Sequence, residues 1–384
     1  MKKTITFKKI LLKLYFRTKA VILIYFFYIV ALFKKKSDYW VICERGVDAR
    51  DNGYAFYKYL KKEHPEQIIY YIIDKKSADY KKVAEDAVQY GSLKNYLIIA
   101  NASKIISTHI GTFVPHIGAK TTNLCRLNKK FYWLQHGIIK NSVGVNWYDK
   151  PAKKVFCSTV TEYNFIKEKG EFPDSVLKCT GLARYDDLIS PVAGKKQILV
   201  MPTWRSYILT EKKFLHSKYF EEWQKLLNDK RLSAFLENNN LNLIFYPHYE
   251  CQRFLKYFSF SSARIISGSF DSYDVQSLIK ESSIMITDYS SVSFDFSYMR
   301  KPMIYFQFDK YDFYNKHYGK GYFDDDTMGF GDICESVDEV IKSIEKIKDN
   351  DFCLEQKYRE RINEFFIYND ILNCSRIYNE VVKD

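Results

Sequence analysis

The chain has 384 residues, 47% hydrophobic and 27% charged, which suits one large or two medium folded domains and excludes wholesale disorder. Its 59 Lys and Arg against 46 Asp and Glu give a net charge of +13, but ten of the basic residues and none of the acidic ones fall in residues 1–36. The rest is close to neutral, so no nucleic-acid partner is expected, and the scattered Cys and His show neither disulfide nor metal spacing.

The first predicted element is a basic, apolar helix. Its uninterrupted apolar run, Ala20 to Phe33, is fourteen residues, about 21 Å as a helix and short of the ~30 Å hydrocarbon core. No small-residue cleavage site follows it, which argues against a signal peptide. Lys9, Lys13 and Arg17 recur at i, i+4 and i+8 as a basic stripe, and Tyr25 and Tyr28 add rings suited to headgroup depth. Residues 1–36 are therefore expected to lie on an anionic membrane, peripheral or monotopic, on its cytoplasmic side, the alternatives being a buried first helix of the folded body and a single membrane span.

Apolar strand-like runs then alternate with helical stretches. Tyr39–Cys43, Gln67–Ile73, Lys104–Ser107, Phe131–Leu134, Val155–Cys157 and Val176–Cys179 read as one set of strands, with a helix over Asp51–Leu60 started by Asp51 and Asn52. A second set opens at Gln197–Met201, after the linker candidate Pro191–Gly194, and continues at Leu241–Phe245, Arg264–Ser267, Ser283–Ile286 and Met303–Phe306. Helical patterns close the chain. The expectation is α/β with two doubly wound domains, 37–192 and 193–384, binding ligands past the carboxyl ends of their strands in a cleft between them.

Polar motifs sit at those strand ends. Gln135-His136-Gly137 follows one apolar run, placing a His where it can accept a proton and a Gly where a ligand can approach the backbone. Trp204-Arg205 follows a second run, and an Arg fork suits phosphate oxygens. His248 follows a third and is a candidate hydrogen-bond donor to a phosphate. Asp288, Ser290 and Ser291 follow a fourth and open a helix, with Asp295 four residues after Ser291 and on the same face; hydroxyls and amides there suit an anion. No GxGxxG, GxxxxGK[ST] or GxSxG is present, so nicotinamide, P-loop and serine-hydrolase chemistries lose support.

Taken together and in order, QHG (135–137), GLARYD (181–186), PTWR (202–205), FYPH (245–248), TDYSS (287–291) with Asp295, and the aromatic-acidic stretch 308–326 resemble the CDP-glycerol glycerophosphotransferase family of teichoic-acid primases and polymerases. The resemblance implies a GT-B-like fold with an acceptor-side domain first and a CDP-polyol-binding domain second. It also implies transfer of a polyol phosphate, glycerol phosphate in the first instance, to a lipid-linked saccharide or polyol-phosphate acceptor, with CMP leaving and no separate cofactor. His136 and His248 are then the catalytic candidates, and Gly137, Arg184, Trp204, Arg205, Asp288, Ser290, Ser291 and Asp295 the substrate-binding ones. Ala183 stands where the family turn usually has Pro, and the run after His136 differs from the usual one. The competing expectation is a nucleotide-sugar glycosyltransferase on the same plan.

Overall fold

A computed structural model of the chain describes residues 2–33, 38–141, 152–170, 172–189 and 197–383. The expected linker at Pro191–Gly194 and the basic run Lys34–Lys36 lie outside the described residues. Two compact units form. Among the described residues, the first holds those up to Ile138, those from Ala152 to Asp187 and those from Asp370 onward; the second holds Ile139–Asn141 and the stretch from Leu188 to Asn369.

The first unit is a seven-stranded parallel sheet of β1 (Tyr39–Cys43), β2 (Ile68–Ile73), β3 (Ala87–Gln89), β4 (Lys104–Ser107), β5 (Phe131–Trp133), β6 (Lys154–Cys157) and β7 (Leu177–Cys179). The spatial order is β3-β2-β1-β4-β5-β6-β7. Its central strands read as apolar runs because helices cover both faces; every residue of β1 is buried. The order reverses between β1 and β4, the switch point where doubly wound sheets bind ligands.

The amino-terminal helix α1 (Lys2–Leu32) is part of this unit rather than a separate head. Ala20 and Ile24 are fully buried, and α1 packs along α3 (Leu93–Asn101). Arg17 Nε donates to Thr121 Oγ1 at 2.6 Å in α4 (Ala119–Leu124), and the Tyr25 and Tyr28 hydroxyls donate to the carbonyls of Leu124 and Cys125 at 2.6 and 3.1 Å. The two rings expected at headgroup depth thus spend their hydroxyls on the end of α4. No described helix is long and apolar enough to cross a membrane.

The second unit is a six-stranded parallel sheet of β8 (Gln197–Met201), β9 (Asn242–Phe245), β10 (Ile265–Ser267), β11 (Ile284–Thr287), β12 (Met303–Phe306) and β13 (Asp332–Cys334), ordered β10-β9-β8-β11-β12-β13. It repeats the reversal, here between β8 and β11. Trp223 sits at the centre of its core, edge-on to Phe306 and Phe308.

Besides the inclusion of α1 and a boundary at Leu188 rather than 193, the units depart from the expected division at two places. The helix Asn373–Val382 belongs to the first unit, where Cys374, Ile377 and Val381 join the core of Trp40, Ile42 and Phe56. Asp186 fixes it there, accepting from the main-chain N–H groups of Asn373 at 2.9 Å and Cys374 at 2.8 Å. The short segment Ile139–Asn141 belongs to the second unit.

Candidate functional site

In the first unit, residues following β1, β4, β5 and β7 gather around His136. Gln135, at φ 59°, turns the chain out of β5. This left-handed geometry is costly for a side chain with a Cβ, and two bonds hold it: Asn52 Nδ2 donates to Gln135 O at 3.0 Å, and Gln135 Nε2 donates to Phe156 O at 2.7 Å. The turn leaves the His136 side chain 68% exposed, with the half-buried Gly137 beside it.

His136 Nδ1 is bonded to Asp51 Oδ2. Asp51 accepts the hydrogen bond from Nδ1–H, so the neutral ring keeps its proton there and Nε2 presents its lone pair. Arg184 Nη1 donates to Asp51 Oδ1 at 2.7 Å and to His136 O at 2.5 Å. Burial alone would raise the Asp51 carboxyl, but His136 and Arg184 outweigh it and hold it well below the usual carboxylate range. Asp51 also accepts from Asn52 N at the start of α2 (Asn52–Glu63). Arg184 was expected to meet substrate; its Nη1 is instead spent on holding Asp51 and the His136 carbonyl. In the same motif Gly181, at φ +82°, is so close to Asn373 that a Cβ would come within 1.8 Å of its side-chain oxygen.

Two more residues complete the cluster. His109, just past β4, has its ring 5.0 Å from that of His136; burial first, then the His136 charge, push it down to about 4. Glu44, just past β1, accepts from the main-chain N–H groups of Arg50, Asp51 and Tyr54 at 3.0, 2.9 and 2.8 Å and so supports the entry to α2.

The second unit carries its own strand-end cluster. Arg205, read as a phosphate ligand, is wholly buried. Its Nε and Nη2 donate to the two Asp309 oxygens, each at 2.9 Å, Nη2 also to Asp288 Oδ2 at 2.9 Å, and Nη1 to Thr203 O at 2.7 Å. Asp288, equally buried, accepts in addition from the N–H groups of Thr203 and Tyr289 at 2.8 and 2.6 Å. The expectation that Arg205 and Asp288 contact the donor is therefore corrected. Two carboxylates draw the guanidinium back beneath the loop, and the charge is neutralised inside the protein.

What this frame leaves accessible is Trp204, His248, Ser290 and Ser291. Trp204 stacks on His248 with ring centroids 5.8 Å apart and stands edge-on to His317 at 4.7 Å. His248 Nδ1 accepts from Glu250 N at 3.3 Å, which leaves the proton of the neutral ring on Nε2. Ser290 Oγ accepts from Val292 N at 3.3 Å; Ser291 is exposed and makes no side-chain cap to the short helix Val292–Tyr298. Asp295, on that helix, is 4% exposed and sits inside the unit rather than at its surface. All eight Cys are free thiols, and among the described residues no cluster of His, Cys, Asp or Glu is placed to hold a metal.

Two doubly wound units, each with a polar cluster past its strand ends at the switch point, follow the plan of the GT-B fold. The family model for CDP-Glycerol:Poly(glycerophosphate) glycerophosphotransferase matches residues 24–171 and 183–383, and the chain belongs to that family. It is 33% identical over 374 residues to the minor teichoic acid biosynthesis protein GgaB of Bacillus subtilis, covering 93% of this chain and 41% of that protein. To the teichoic acid poly(glycerol phosphate) polymerase of the same organism it is 24% identical over 361 residues, covering 86% and 47%. The chain thus spans less than half the length of these curated relatives. A solved structure of the wall teichoic acid polymerase TagF shares the fold, with a TM-score of 0.69 at 18% identity, covering 100% of this chain and 97% of that one.

Proposed function

We propose that the chain transfers glycerol phosphate from CDP-glycerol to a hydroxyl of a membrane-linked acceptor, a lipid-linked saccharide or polyol phosphate, releasing CMP in the synthesis of a teichoic acid or related surface polymer. The observation that carries the reading is the His136–Asp51–Arg184 arrangement in a chain of this family. His136 Nε2 takes the acceptor proton as the acceptor oxygen bonds to the phosphorus that bears glycerol. The bond from that phosphorus to the bridging oxygen breaks, and CMP leaves with the electron pair. Asp51, already ionised, stabilises the imidazolium that forms. On the donor side, His248 Nε2–H and the hydroxyls of Ser290 and Ser291 are the groups offered to the pyrophosphate, with Trp204 as an aromatic wall.

The same reading sets α1 in the interface of an anionic membrane on its cytoplasmic side. Its outward face is apolar: Leu11, Tyr15, Ile22, Phe26 and Ile29 are 49–61% exposed. Lys13, Arg17 and Lys19 lie along the same helix.

The test is a donor panel of CDP-glycerol, CDP-ribitol and nucleotide sugars against a lipid-linked acceptor, read by CMP release and product mass. A phosphorus-containing adduct from CDP-glycerol is expected. Sugar transfer from a nucleotide sugar with no reaction of either CDP-polyol overturns the proposal.

A further inference from the structure

Beneath the Thr287–Ser291 turn of the second unit lies a buried ion pair that the proposed chemistry does not use. Lys140 Nζ is 3.1 Å from Asp325 Oδ1, with the two side chains 2% and 1% exposed. The rings of Phe323 and Phe294 lie over the ammonium at 5.5 and 6.0 Å. The Lys140 main chain is pinned as well: Gly321 approaches it so closely that a Cβ would come within 2.0 Å of the Lys140 carbonyl oxygen.

Such a pair contributes little net stability, because removing two charges from water costs about what their attraction returns. Its geometry points to another use. Asp325 Oδ2 accepts from Gln307 Nε2 at 2.9 Å, and the same Gln307 nitrogen donates to the main-chain oxygen of Asp288 at 3.1 Å. Gln307 Oε1 is buried with no hydrogen-bond partner. An amide that leaves its own oxygen unpaired has had its orientation imposed. Two acceptors impose it here, a carboxylate and a carbonyl, and Lys140 holds that carboxylate in place through its other oxygen.

We propose that Lys140 is a positioning residue for the donor-binding turn, acting through Asp325 and Gln307 on the Asp288 main chain. It stands four residues after His136 in sequence, so one short stretch of chain serves both strand-end clusters. The inference rests on the reading of the Thr287–Ser291 turn as a donor site.

Three full-length variants test it: Lys140→Met, Lys140→Met/Asp325→Leu and Gln307→Leu. The single Lys140→Met change strands a buried carboxylate and lowers the thermal midpoint. The double variant, apolar on both sides and of similar volume, recovers the midpoint. It nevertheless keeps a KM for CDP-glycerol raised about tenfold, the scale of one lost hydrogen bond, with kcat little changed; Gln307→Leu raises KM by a similar factor. A double variant with wild-type KM, or a KM that follows the midpoint back to wild type, overturns the proposal. Amide hydrogen exchange over Thr287–Ser291 in the unliganded chain decides the matter independently of the donor. Faster exchange is expected in the double variant and in Gln307→Leu, and unchanged exchange overturns the inference. If the wild-type chain leaves CDP-glycerol untouched, the functional reading fails while the exchange result still stands.

Discussion

The role proposed for His136 depends on Asp51 and Arg184, which stand 85 residues before it and 48 after it. His136→Ala is expected to lose about 10²–10⁴-fold in kcat with the fold intact by circular dichroism. Asp51→Asn keeps an acceptor for Asn52 N but loses the charge that stabilises the imidazolium, and kcat should fall about 10²-fold or more. Arg205 works at a different point: Arg205→Met leaves Asp288 and Asp309 buried and unpaired, and should cost about 3–5 kcal/mol of stability in urea unfolding. Two histidines, one in each unit, make stability depend on acid pH. His109 is held at about 4 by burial and by His136, and His317 at about 4 by burial and then by Arg205 and His248, against an ordinary 6.5. As pH falls through 6.5 the unfolded chain takes up protons that the folded chain refuses until about 4. Their contribution to stability is therefore intact above 6.5 and declines down to about 4, and His109→Gln should flatten the slope of thermal midpoint against pH in that window. Of these residues His136 and Arg205 were legible as polar groups after apolar runs. Asp51 was legible as a helix cap alone, since its partner lies across the sheet. His109 follows the apolar run of β4 as His136 follows that of β5, a signal that was there to be used. The inward swing of Arg205 was not legible, because the carboxylates that capture it, Asp288 and Asp309, follow two other strands.

At the scale of elements, the buried strands were visible as apolar runs because parallel strands covered on both faces need no polar alternation. Strands β3 and β13 escaped notice: each has three residues, each lies at a sheet edge, and Gln89 and Asp332 are only partly buried. Helix α1 shows the converse. Its basic and apolar composition suggested an independent anchor, whereas its inner face is part of the wall formed with α3 and α4. Lys130 adds to that wall, donating to the carbonyls of Ile99, Ala100 and Ala102 at 2.9, 2.7 and 3.1 Å; burial pushes its ammonium down to about 7. Cutting off α1 would therefore confuse membrane binding with folding. Ile22→Glu/Phe26→Glu changes only exposed positions, and should abolish sedimentation with anionic vesicles while moving the thermal midpoint by less than about 1 kcal/mol in equivalent stability. Retained vesicle binding would place the membrane surface elsewhere on the chain.

Across the whole molecule, the plan of two strand-helix sets was readable from alternation, but its bookkeeping along the chain was not. The sequence offers one linker candidate, while the units exchange chain in more than one place, and no composition signal marks Ile139 or Asp370 as a crossing point. The crossing at Asp370 rests on Asp186, whose carboxylate caps Asn373 and Cys374, and on Lys154, whose ammonium donates to Glu380 O at 2.8 Å. Asp186→Ala should cost about 1–2 kcal/mol by loss of that cap, and the loss should appear in exchange protection of the first unit, not the second.

That nesting sets an order of birth. By the time residue 369 has left the ribosome, the second unit has every strand and helix it needs, and can close around Trp223 while synthesis continues. The first unit has its sheet by residue 179, yet Trp40, Ile42 and Phe56 wait for Ile377 and Val381 to cover them. A nascent chain paused before Asp370 is thus expected to hold a finished second unit together with a first-unit sheet that has an open apolar flank. The unit that carries His136 is the one that matures last.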